Sequence, residues 1–187
     1  MNIFILSDNP FEAAAQQCDK HVVKMVVESA QMLSTVHRIL DGTLTTLKDE
    51  KSGRVKKHYA HPSRLYEDEL YKAVHMNHPC TVWTALNSGN YEWHYSHWVG
   101  LATEYNFRYG KVHASFEKLR NILSNPPRNI VDGDRTTFPL AMNTNPECQF
   151  PEDPVKSYRM FYQTKQERFS MVWTQREVPE WFKVNDR

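Results

Sequence analysis

The sequence lacks the cysteine pairs that staple small secreted folds. Its three cysteines, Cys18, Cys80 and Cys148, are odd in number and widely separated. No CxxC pair is present, so neither a zinc knuckle nor a disulfide framework is indicated, and a reducing compartment is expected. Long hydrophobic runs are missing too. No stretch of about 20 apolar residues exists, so no membrane-spanning helix is expected. The first residues have neither the basic nor the long apolar part of a secretory signal, which points to the cytoplasm. Charge of one sign is scarce: 23 Lys and Arg stand against 22 Asp and Glu, a net charge of +1. That excludes a strong global field for polyanions, so a nucleic-acid role needs a local basic patch. Internal repeats and low-complexity tracts are absent.

What is present fits one mainly α-helical domain. The 187 residues suffice to bury a substantial core. Apolar residues make up 40% and charged residues 24%, so disorder is not the default. Nine Phe, nine Tyr and five Trp supply large core side chains, with some available for stacking.

The stretch Cys18 to Leu40 organises the chain. Val22, Val26, Leu33, Val36 and Leu40 recur at three- and four-residue steps, which predicts a long, largely buried helix. His21, Lys24, Glu28, Gln31 and Thr35 form a polar stripe on a neighbouring line. Asp19 is the expected N-cap. His21 and Glu28 are seven residues apart, about 10 Å along the axis. They cannot form a direct acid–base dyad but can touch two ends of one substrate. The alternative is an ordinary Lys24–Glu28 surface pair beside a half-buried histidine.

Around this helix the other segments read as follows. Met1 to Leu6 is a short strand or extended lead-in, buried from its first residue, with an anchored α-amine. Asp8-Asn9-Pro10 starts a short helix running from Phe11 to Gln17. Asp41-Gly42 ends the long helix. The stretch 43–64, with Lys48, Lys51, Arg54, Lys56, Lys57, His58, His61 and Arg64, reads as an exposed basic insertion, either a hairpin or a solvated loop. Leu65 to His75 suggests a short helix. Pro79 opens a helix to about Leu86, placing Asn77 and His78 near an N-terminus suited to a phosphate, or simply making a helix start. Gly89-Asn90 is expected to break the chain. Tyr91 to Tyr109 is a long aromatic helix with Trp93, Trp98, Leu101, Tyr105 and Phe107 as core candidates. His94 and His97 share a face of it, but no carboxylate motif accompanies them, so no metal is assigned. Gly110 stops that helix, and His113 opens the next, to about Leu123. Arg108, Lys111 and His113 gather at this junction. They offer a cation patch for a phosphate backbone, or cations answering the helix dipole. A long loop covers 124–154. Val155 to about Trp173 returns to helix, and Trp181 and Phe182 dock the tail.

Four of these features together resemble a known family, the pyrimidine-dimer DNA glycosylase/AP lyases of phages (the endonuclease V type) and their small bacterial relatives. They are the apolar start, Asp19-Lys20-His21 followed by Glu28, Asn77-His78-Pro79, and Glu104-Tyr105 through Arg108-Tyr109-Gly110-Lys111. The likeness covers residues 1–40 and 77–115. It implies a helical single-domain fold, base excision followed by strand cleavage on duplex or single-stranded DNA, a monomer, no cofactor, and a bacterial or phage-infected cytoplasm. The family's nucleophile is the N-terminal α-amine held near a glutamate. Such an amine titrates near 8 against about 10.4 for lysine, so roughly a tenth is free base at neutral pH. On this sequence those roles fall on the amine of Met1 and on Glu28, with His21 shaping the cleft or contacting a phosphate. Asn2, a poor substrate for methionine removal, keeps Met1 in place. Asn2 and Lys24 join Asn77, His78, Arg108, Lys111 and His113 on the DNA-binding side. Two other classes stay open: a metal-dependent phosphohydrolase or nuclease using some of the nine histidines, and a non-catalytic DNA- or protein-binding module.

Overall fold

The computed structural model describes residues 1–48, 50 and 52–184, so Lys51 of the basic stretch lies outside the described residues. The fold is mainly α-helical. Its helices are α1 (Pro10–Ala15), α2 (Asp19–Asp41), α3 (Arg64–Glu69), α4 (Pro79–Leu86), α5 (Ser88–Tyr109), α6 (Ala114–Leu123) and α7 (Pro154–Gln163). Among the described residues a single hairpin, β1 (Thr43–Lys48) and β2 (Val55–Ala60), stands between α2 and α3.

The long helix α2 is the central element and packs on α4, α5 and α6. Val22, Val26, Leu33 and Val36 are fully buried, as their spacing predicts, whereas Leu40 is only partly covered. Trp98 of α5 is fully buried and donates its indole N–H to the Val26 carbonyl at 2.8 Å. That bond satisfies the one polar atom of the largest core side chain. Where α5 meets α1, a Cβ on Gly100 would stand 2.9 Å from that of Ala14, so only glycine permits this approach.

Pro10 occupies the first turn of α1, and the Asn9 side chain accepts from Phe11 N and Glu12 N, as the Asp-Asn-Pro start predicts. The N-cap of α2 is Cys18, not Asp19. The Asp19 carboxylate is taken up elsewhere. It accepts from Arg108 at 2.9 Å and from the Thr174 hydroxyl at 2.6 Å. Gly89-Asn90 does not break the chain. Asn87 caps Asn90 N, so α5 starts at Ser88 and both residues lie in its first turn. Gly110 ends α5 in the left-handed region, φ 65°, which its missing Cβ tolerates. The basic stretch is the hairpin: Thr43 pairs with Ala60 and Lys48 with Val55. The helix expected over 65–75 is shorter and ends at Glu69. The helix expected to reach Trp173 stops at Gln163, followed by a 3₁₀ turn, Thr164–Glu167, and irregular chain. Phe182 is buried and Trp181 donates to Gln16, so the tail docks. Phe107, a core candidate, is instead 46% exposed, under the Arg176 guanidinium.

Residues 1–6 run extended, with no strand partner among the described residues. Ile3, Ile5 and Leu6 are fully buried. Side chains replace a sheet in satisfying their backbone. Gln17 Nε2 donates to Ile3 O (3.1 Å), Arg159 Nε to Leu6 O (2.9 Å), and Asn2 Oδ1 accepts from Phe4 N (3.0 Å). Phe4 adopts φ 55°, a region costly for a bulky residue, and its ring stacks on His21 at 4.6 Å.

Candidate active site

The extended segment brings the α-amino group of Met1 to α2. The nitrogen lies 3.5 Å from Glu28 Oε2, and Lys24 Nζ lies 3.1 Å from Oε1. Glu28 is 12% exposed, Lys24 66%. The two glutamate oxygens therefore differ. Oε1 meets a solvated lysine, as the four-residue spacing predicts. Oε2 is buried, and although charge-paired with the amine it accepts no hydrogen bond from the described residues.

The cavity around this pair measures about 200 Å³ and is lined by Met1, Asn2, Phe4, His21, Glu28 and Lys165, among others. Asn2 is held by its own side chain, which donates to Ala141 O at 2.9 Å. His21 comes from the first turn of α2. The Tyr162 hydroxyl accepts from Cys18 N at 2.9 Å and shares a hydrogen bond of 2.7 Å with His21 Nδ1. Burial, together with the charges of Lys165 and Lys24, holds the His21 pKa at about 4, so the ring is neutral at pH 7.

His78 caps α4 by accepting from Cys80 N at 3.2 Å. Burial pushes its pKa down, and the α-amine charge pushes the same way. The Met1 carbonyl and Glu28 push it up. His78 therefore borders the Met1–Glu28 pair as a neutral donor. Asn77 beside it is exposed.

Lys165 is the residue that sequence reasoning missed. It follows α7 in the 3₁₀ turn, is 8% exposed, and its ammonium lies 3.3 Å from the centroid of the Phe161 ring. Burial and the Arg168 charge lower its pKa to about 8. Nothing local in the sequence marks it, because it reaches the cleft from 137 positions beyond Glu28.

The structure does not bring Arg108, Lys111 and His113 to this cleft as a phosphate patch. Arg108 is buried, and all five of its N–H donors are used, on Glu104, Asp19, Gln17 O and Ala15 O. Glu104 is further bound by Arg176 at 2.6 Å. His113 caps α6 through Ser115 N, and burial lowers its pKa, so it carries no charge at neutral pH. Lys111 alone is an exposed cation there. His94 and His97 are fully buried and separately occupied, by Thr84 and Gln17.

No family model, curated protein or solved structure matches this chain. The geometry alone must carry the functional reading. Larger cavities exist, of about 730 Å³ beside Asp132–Arg135 and about 600 Å³ along the hairpin. The first brings no amine to a buried acid. The second is a groove between Lys48, Lys56, Lys57 and Lys72, with Leu47, Tyr59 and Met76 between them.

Proposed function

We propose that the chain is a DNA base-excision enzyme, an N-glycosylase with AP-lyase activity on damaged or modified pyrimidines. The observation that supports this reading is the Met1 nitrogen 3.5 Å from the half-buried Glu28 carboxylate inside one cavity. The amine attacks the anomeric sugar carbon, and the base leaves with the bonding electron pair. On bonding, the amine, attacking as free base, releases one proton to Glu28. The nitrogen lone pair then expels O4′ from the anomeric carbon, O4′ takes that proton, and the ring-opened protonated Schiff base results. Glu28 stabilises the cationic sugar and takes the proton whose removal expels the 3′-phosphate by β-elimination. Its Oε2, without a hydrogen-bond donor of its own, is the oxygen left to do so. Neutral His21 lines the cavity, His78 is held at its edge by Cys80 N and the Met1 carbonyl, and Lys24 and Lys165 make the rim cationic.

Size limits what enters. A cavity of about 200 Å³ falls below the ~300 Å³ at which pockets begin to enclose drug-sized ligands. It suits a sugar ring, with the bases held outside. The lysine-lined hairpin groove supplies a second surface for the phosphate backbone.

Borohydride reduction in the presence of abasic-site DNA tests the reading. A covalent adduct at residue 1 is expected, and one extra residue ahead of Met1 should abolish it. Glu28→Gln should slow strand cleavage by roughly 10²–10⁴-fold without unfolding the chain. Lys165→Met is expected to leave the adduct in place. An adduct that disappears with Lys165→Met, or no adduct with any abasic substrate, overturns the assignment of the nucleophile.

A further inference from the structure

A second constellation lies on the same helix, about 14 Å along α2 from Glu28. His37 and Asp41 are one turn apart near the C-terminus of α2, and His61 follows directly after β2. One ligand atom from each lies within 4.8 Å of the others. His37 is 1% exposed, and the side chains of His61 and Asp41 are 6% and 7% exposed.

The hydrogen-bond network leaves a bare nitrogen on His37 and an unpaired ring N–H on His61. The Tyr91 hydroxyl donates its one proton to the Leu123 carbonyl at 2.9 Å and so accepts from His37 Nε2 at 2.8 Å. His37 Nδ1 then carries only a lone pair, and it is buried with no hydrogen-bond partner. His61 Nε2 is likewise buried and without one, 3.8 Å from Asp41 Oδ2. Each Asp41 oxygen accepts one backbone N–H, from Arg128 or Asn129, and keeps another lone pair.

We propose that His37 Nδ1, the Asp41 carboxylate and His61 Nε2 bind a divalent first-row transition ion of the zinc class. Two imidazoles and one carboxylate are a donor set for such ions, and three protein ligands leave a fourth position open. That position faces a cavity of about 570 Å³ also lined by Tyr66 and Arg128. The Tyr91 hydroxyl fixes the His37 ring as an outer partner does at metal sites. Bonds of about 2.0–2.1 Å place tetrahedral ligand atoms roughly 3.3 Å apart, so the 3.8 Å His61–Asp41 gap must close by about half an ångström, and a gap as wide as 4.8 Å by about 1.5 Å. His61 also changes tautomer. Its Nδ1 now accepts from Ser63 N at 3.1 Å, and an ion on Nε2 moves the ring proton to Nδ1. Ser63 N–H then loses its acceptor. The site does not depend on the Met1–Glu28 reading.

The test is a titration of the chelator-stripped full chain with Co²⁺ alone, followed by Zn²⁺. The expected result is one saturable ion per chain with visible ligand-field bands, displacement by Zn²⁺, and a shift of the Ser63 amide resonance. His61→Gln should weaken binding at least 100-fold, and Tyr91→Phe about 10–100-fold. The metal-free melting point of each variant separates lost ligation from lost folding, and Asp41→Asn replaces His61→Gln if that variant is unfolded. No saturable Co²⁺ binding, or an affinity unchanged in both ligand variants, overturns the proposal.

Discussion

Arg108 illustrates how residue type alone misleads. In sequence it stands with Lys111 and His113 at a helix end, where cations commonly meet phosphate. In the fold its guanidinium ties the end of α5 to the start of α2 and, through Glu104 and Asp19, to Arg176 and Thr174 of the tail. Two of the stretches that carry the family resemblance thus touch each other in a structural clamp. Arg108→Lys keeps the charge but not the fork of donors, leaving buried acceptors unpaired. A loss of about 3 kcal/mol in denaturant unfolding is expected, with the Met1–Glu28 cavity of the folded fraction unchanged. Lys24 and Glu28 were legible as a pair because helical spacing is a local signal, whereas Met1 entered through its apolar, buried start and the family resemblance. Lys165 was not legible, since only tertiary folding brings the turn after α7 to α2.

Among the elements, the hairpin was legible as a basic excursion, but its anchor was not. Arg38 of α2 is 2% exposed and gives all five donors to Tyr71 O, Tyr59 O, Leu70 O and to the carboxylate and carbonyl of Glu67. Burial would raise the Glu67 carboxyl. The His61 N–H, Arg38 and His58 outweigh it and bring its pKa from 4.5 to about 2. A folded-state pKa below the unfolded one stabilises above pH 4.5, and that contribution is lost as pH falls through about 2. Amide exchange at β2 and α3 should therefore accelerate between pH 4.5 and 2, and Glu67→Gln should remove this pH dependence. Helix ends were the poorest-read features. Asn87 capping overrode the Gly-Asn pair. Past Gln163 the aromatic spacing continues through Phe169 and Trp173 although the backbone has left the helix.

At the scale of the molecule, buried neutral histidines couple the whole fold to acid. Burial holds His21 and His37 at about 4 and His97 at about 3, against 6.5 when exposed. The unfolded chain binds these protons first, so stability is full above pH 6.5 and declines as pH falls through the window to about 4. Each histidine adds a slope of about 1.4 kcal/mol per pH unit in that window. Urea midpoints measured from pH 7 to 4 should fall steeply, and His97→Gln should flatten the profile. The mainly helical class and the central role of α2 could be read from periodicity. The seating of residues 1–6 could not, because its backbone is satisfied by side chains from positions 17 and 159. That seating has a consequence for synthesis. Met1 gains its full surroundings only when Ala141, Phe161 and Lys165, about 140 or more positions later in the chain, have folded onto it. A polypeptide stopped short of those positions therefore carries the amine beside an unfinished chamber, and the pairing of Met1 with Glu28 is walled in by residues made long after both.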